Sequence, residues 1–86
     1  MDEHLYDDLV LDIRKVSLTV IGVLDTEKCY VSKAGMKYHV DLHAVVNGHI
    51  TVKEGHEIAH RLQDALHVAI PELGHILIYI DPDDKS

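Results

Sequence analysis

The chain has no apolar run of 18 residues, so no segment is expected to span a membrane as a helix. Its first residues, Met1-Asp2-Glu3-His4, carry no basic region followed by an apolar stretch, so a secretory signal is not expected either. Cysteine is nearly absent. Cys29 stands alone, which excludes an internal disulfide and fits a reducing compartment. Basic residues are few: Lys plus Arg is 8 against 15 Asp plus Glu, a net charge of −7. That balance argues against nucleic acid or an anionic membrane surface as main partners and suits a cationic ligand. Length is also short. Eighty-six residues form one domain, 1–86, with no room for a second. A core this small is marginal, so a partner chain or a metal is expected to support it.

Histidine is plentiful. There are eight, dispersed from His4 to His75, which excludes a terminal tag. Protonating all of them would move the net charge from −7 to +1. An acidic, His-rich, Cys-poor chain leans toward a borderline divalent metal such as zinc.

Residues 2–21 read as a helix. Leu5, Leu9, Ile13, Val16 and Val20 form one apolar stripe. Asp2 and Glu3 suit its positive end, and Gly22 is the expected stop. A strand over 28–34 and another over 37–46 follow, joined as a hairpin at Ala34-Gly35-Met36. The second alternates: Tyr38, Val40, Leu42, Ala44 and Val46 on one face, Lys37, His39, Asp41 and His43 on the other. Asn47-Gly48 is a turn. Thr51 and Glu54 make a capping box that opens a helix over 52–70, with a buried stripe of Ile58, Ala59, Leu62, Ala65, Leu66 and Ala69. Pro71 and Gly74 end it. A last strand over 76–81 turns Ile76, Ile78 and Ile80 inward. A polar tail completes the chain. The fold class is therefore α+β: an α-β-β-α-β two-layer sandwich with a three-stranded sheet and both helices on one face. The last strand is expected parallel to its neighbour.

His56-Glu57-Ile58-Ala59-His60 matches H-E-x-x-H, the helix signature of zinc metalloproteases. Two His four apart share a helix face and can hold one zinc, with the Glu as base. The longer pattern is missing: Gln63 and Leu66 stand where a further Gly and His belong, and only Glu72 follows, in a turn. A chain this small also lacks a second lobe for a substrate cleft. His56, His60, Gln63 and His67 share one stripe, and solvation alone accounts for His60 and His67 there.

Four blocks carry a family resemblance. They are Gly22-Val23-Leu24-Asp25 through Lys33-Ala34-Gly35, then Val40-Asp41-Leu42-His43, then Ile50 to Ala59 containing Glu54-Gly55-His56, and last Ile78-Tyr79-Ile80-Asp81-Pro82. In this order and spacing, residues 22–82 resemble the cytosolic C-terminal domain of the cation diffusion facilitator transporters, membrane exporters of zinc and other divalent metals. The resemblance implies a ferredoxin-like, metallochaperone-like fold, with residues 1–21 as an N-terminal helix and 83–86 as a tail. It implies a homodimer beneath the transmembrane domain of the same transporter, on the cytosolic side of the membrane. It also implies a metal site at the dimer interface. Its ligands fall on His43, His56 and Asp81, with Glu27 where relatives often place a His. Tyr79 falls on a further ligand His, and a neutral phenol is a poor ligand. That departure favours one metal per protomer. His39 and Asp41 are candidate substitutes; His75 and His60 are weaker ones.

The function expected is a regulatory metal-binding and dimerisation domain, not an enzyme, excised from a larger transporter. Zn2+ or another divalent transition metal would bias the dimer. The alternatives are a purely structural dimerisation module, a stand-alone metal chaperone, for which one Cys is too few, and the small metalloprotease.

Overall fold

The computed structural model describes residues 5–83. Elements follow in the order α1 (Asp7–Ser17), β1 (Asp25–Ala34), β2 (Lys37–Val46), α2 (Val52–Ala69) and β3 (Leu73–Pro82). The sheet order is β1-β2-β3. β1 runs antiparallel to β2, and β3 parallel to it. The α+β sandwich expected from the sequence is thus the fold observed.

The core lies between the sheet and the two helices. Ile13 from α1, Val40, Leu42 and Ala44 from β2, and Leu62 and Leu66 from α2 are all fully buried. The two apolar periodicities meet there, four-residue steps on the helices and two-residue steps on β2. Alternation leaves His39, Asp41 and His43 of β2 on the opposite, open face, with His75, Leu77, Tyr79 and Asp81 beside them on β3.

α1 is shorter than its stripe predicts. It ends at Ser17, and the chain continues to Gly22 in turns. Hydroxyls compete for the last carbonyls: Ser17 Oγ donates to Ile13 O at 2.6 Å and Thr19 Oγ1 to Val16 O at 2.6 Å. Tighter backbone bonds then replace the helical ones, Thr19 N to Val16 O and Val20 N to Ser17 O. α1 also starts later than expected, with Leu5 and Tyr6 in a turn before Asp7; residues 2–4 of the expected helix and the tail beyond 83 lie outside the described residues.

β1 and β3 each begin three residues before the sequence suggests. β1 carries a bulge between Thr26 and Cys29, which breaks the alternation that marks a strand. Thr26 is buried, and Arg14 of α1 donates Nε to its Oγ1 at 3.0 Å. β3 gains Leu73 to His75 because Leu73 pairs with Tyr38, whose N–H donates to Glu72 O at 3.0 Å. In the hairpin only Gly35, the first turn residue, has positive φ (66°), as a type II′ turn requires.

α2 starts at the capping box expected of it. Thr51 Oγ1 accepts from Glu54 N at 3.0 Å, and Glu54 Oε1 accepts from Thr51 N at 2.8 Å. Its polar stripe is not simply solvated. Gln63 Nε2 donates to Ile76 O at 2.8 Å, and His67 Nε2 donates to Gly74 O at 2.7 Å. β3 is an edge strand, so these outward carbonyls lack a strand partner, and α2 side chains satisfy them.

Candidate metal-binding face

The open face of the sheet concentrates donor side chains. Parallel pairing sets His43 opposite Tyr79 and Val45 opposite Asp81. His43 Nδ1 lies 3.0 Å from Asp81 Oδ2, and the His43 ring stacks on Tyr79 with centroids 4.5 Å apart and planes 16° apart. The His43 and Asp81 side chains are 25 % and 34 % exposed, reachable but half shielded. A carboxylate has only acceptors to offer. A neutral His43 therefore carries its proton on Nδ1 and keeps Nε2 as a lone pair. That is the carboxylate–histidine arrangement that orients a metal-ligating imidazole.

Glu27 lies inside β1, not before it. Thr26 pairs with Ala44 and Cys29 with Leu42, so Glu27 and Lys28 together stand across from His43 in the bulge. A second donor pair sits further along the face. His39 Nε2 is 3.0 Å from Asp41 Oδ1, and the His39 ring stacks on His75 with centroids 5.0 Å apart.

His56 is elsewhere. It belongs to α2, in the layer that covers the other sheet face, and its ring neighbour is His60, with Nε2 to Nε2 at 3.1 Å. It lines a cleft of about 440 Å³ with Gly55, Ala59, Ile78 and Ile80. The structure thus joins His43 to Asp81 and does not join His56 to either. Among the described residues no group of three or more His, Cys, Asp or Glu side chains converges within one chain to hold a metal.

Cys29 is half-buried, and burial pushes its thiol from an ordinary 9.0 up to about 11, with the Arg14 charge opposing the shift. Two contacts at these sites escaped the sequence reading. The Tyr79 stack on His43 needed the β2–β3 register. The Arg14 bond to Thr26 needed the α1–β1 packing. The His56–His60 contact, by contrast, follows from the four-residue spacing that already set both rings on one helix face.

The family model for the cation efflux protein, cytoplasmic domain, matches residues 5–83. The chain belongs to that family. Metal tolerance protein C1 of Arabidopsis thaliana is 30 % identical over 70 residues, covering 81 % of this chain. The match spans only 15 % of that relative. Among solved structures, the MamM CTD in a cadmium form superimposes with a TM-score of 0.88 at 18 % identity, over 92 % of this chain and 99 % of that one. A nickel form of a MamM CTD variant gives 0.86 at 19 % identity, over 91 % and 99 %. These likenesses agree on the fold. Within the family fold, the donor-bearing sheet face is the one the helices leave uncovered, and no described helix is long and apolar enough to cross a membrane.

Proposed function

We propose that this chain is the regulatory metal-binding and dimerisation domain of a divalent-cation efflux transporter, with zinc the leading ion. The domain sits on the cytosolic face of the membrane, joined to the transmembrane part of the same protein. Two copies meet through the open side of the sheet, where Leu77 and Tyr79 are 39 % and 42 % exposed. His43 and Asp81 form the nucleus of the metal site, with Glu27 beside them in the β1 bulge and His56 supplied from the helical layer. His39, Asp41 and His75 are reserve donors. An imidazole–carboxylate set of this kind suits zinc and its neighbours. A bound ion neutralises carboxylates on a chain of charge −7 and so favours the paired state.

The observation that carries this reading is the 3.0 Å His43–Asp81 contact. It orients the ring so that, in the neutral imidazole, Nε2 is the lone-pair nitrogen on the open face. The reading is non-enzymatic: Glu57, between His56 and His60, has no role as a base in it. Cys29 argues against a thiol-based chaperone, because its thiol is held protonated.

Sedimentation with and without zinc, together with zinc calorimetry, tests the proposal. The parent chain is expected to dimerise more tightly with zinc. His43→Ala is expected to weaken the tightest zinc site tenfold or more, about 1.4 kcal/mol. Asp81→Asn should weaken it less where the carboxylate only orients His43, and equally where it ligates. Zinc binding untouched by either substitution refutes the site. A zinc-independent dimer with no zinc heat would support the purely structural module instead.

A further inference from the structure

A second metal site is built into α2 alone. We propose that His56 and His60 form a two-histidine chelate for a borderline divalent transition metal, separate from the strand face. His60 is not one of the principal ligands implied by the family resemblance, and the chelate uses neither His43 nor Asp81. His56 is claimed by both sites, so His60, which the strand site does not use, is the residue that tells them apart.

The nitrogen spacing is already that of a chelate. The two Nε2 atoms are 3.1 Å apart, and the rings meet edge to face with planes 79° apart. With metal–nitrogen bonds of about 2.0–2.1 Å, two imidazoles on one ion stand about 3.3 Å apart at the tetrahedral angle and about 2.9 Å apart at a right angle. The observed gap falls between these values, so no rotation of the backbone is needed to close on an ion.

A nitrogen pair at this distance also shares a proton. One Nε2–H donates to the other ring's lone pair. Metal entry asks the donating ring only to move its proton to Nδ1. Both Nε2 lone pairs are then free, a small tilt of the side chains turns them toward a shared ion, and neutral rings release no net proton. Water completes the coordination, since both side chains are exposed.

The scaffold holds the pair still. Thr51 and Glu54 fix the start of α2 one turn upstream, and Ile58 and Leu62 anchor its opposite side in the core. Lys53 and Arg61 are outnumbered by Glu54, Glu57 and Asp64 over residues 53–64, so the surrounding formal charge is slightly negative and suits a cation. A metal bridging one helical turn raises the stability of the native state by mass action.

Zinc titration followed by the histidine ring resonances in NMR tests this directly. The background is His43→Ala, which removes the imidazole that the strand face itself contributes. The expected result is that the His56 and His60 rings respond together with one midpoint. His60→Ala should raise the His56 midpoint tenfold or more, with the metal-free fold unchanged because the residue is exposed. His60→Asp, which restores a donor, should recover part of that loss. A His60 ring unmoved at ten equivalents of zinc, or a His56 response indifferent to His60→Ala, overturns the proposal.

Discussion

Gly22 joins α1 to β1, and replacing it by Ala gives the sharpest test of the packing. Two separate costs are expected. The first is backbone strain. Gly22 has φ of 101°, where an L-residue is strained by about 1–3 kcal/mol. The second is collision. A Cβ built there lies 2.6 Å from Ile58 Cδ1 and 2.8 Å from Ile58 Cγ1. Ile58 is only 5 % exposed in the core, so it cannot swing into solvent. Such overpacking costs about 1–3 kcal/mol. Arg61 tightens the segment further, donating Nη2 to Ile21 O at 3.0 Å. Together the terms come to about 2–6 kcal/mol. A domain of this size holds about 4–13 kcal/mol in all. Gly35→Ala is the control. Its φ of 66° is also positive, but nothing lies within 4 Å of the added Cβ, so only the backbone term applies. Urea unfolding followed by circular dichroism should show the Gly22 variant losing at least about 1 kcal/mol more than the Gly35 variant. Adding Ile58→Val to Gly22→Ala removes Cδ1. The double variant should then cost less than the sum of its singles by about 0.5 kcal/mol or more. Equal losses at the two glycines, or strict additivity with Ile58→Val, would refute the steric argument.

Leu62→Ala opens a cavity at a fully buried position and should cost about 2–5 kcal/mol, lowering Tm by at least about 8 °C in a thermal melt. Thr51→Ala removes the side-chain half of the capping box and should cost about 1 kcal/mol by urea unfolding, while Thr51→Ser should cost far less. Cys29 should alkylate slowly. With its thiol pushed up to about 11 from 9.0, its thiolate fraction at pH 8 is roughly a hundredfold below that of a free thiol, so native protein should react that much more slowly with iodoacetamide than urea-unfolded protein. The same shift has a definite sign for stability. The folded state holds the proton more tightly, so this contribution is whole below pH 9 and is lost as pH rises from about 9 to about 11, which pH-dependent melts of Cys29→Ala against parent would reveal.

Some of this protein is written locally and was legible as such. The capping box of Thr51 and Glu54 and the stripe of Ile58, Leu62 and Leu66 determine α2, because caps and four-residue spacing act within a turn or two. The alternation of β2 likewise determines which of its residues share an open face, since a strand's period is two. His39, Asp41 and His43 are on one side of the sheet for that reason alone.

Tertiary structure decided the rest. β1 hides its first three residues because a bulge spoils its alternation, and only pairing with β2 reveals Glu27 as a strand residue across from His43. α1 stops at Ser17 although its apolar stripe runs on, because hydroxyl-to-carbonyl bonds override the periodicity. Asp81 meets His43 from 38 positions away through the register of two parallel strands, a long-range fact that no spacing along the chain encodes. His56 is equally far from being placed by its neighbours in sequence. Its helix packs on one side of the sheet and His43 opens on the other, a separation that no spacing along the chain encodes. Local patterns fix what a residue's own element looks like; which elements lie side by side, and on which face, is set only when the core closes.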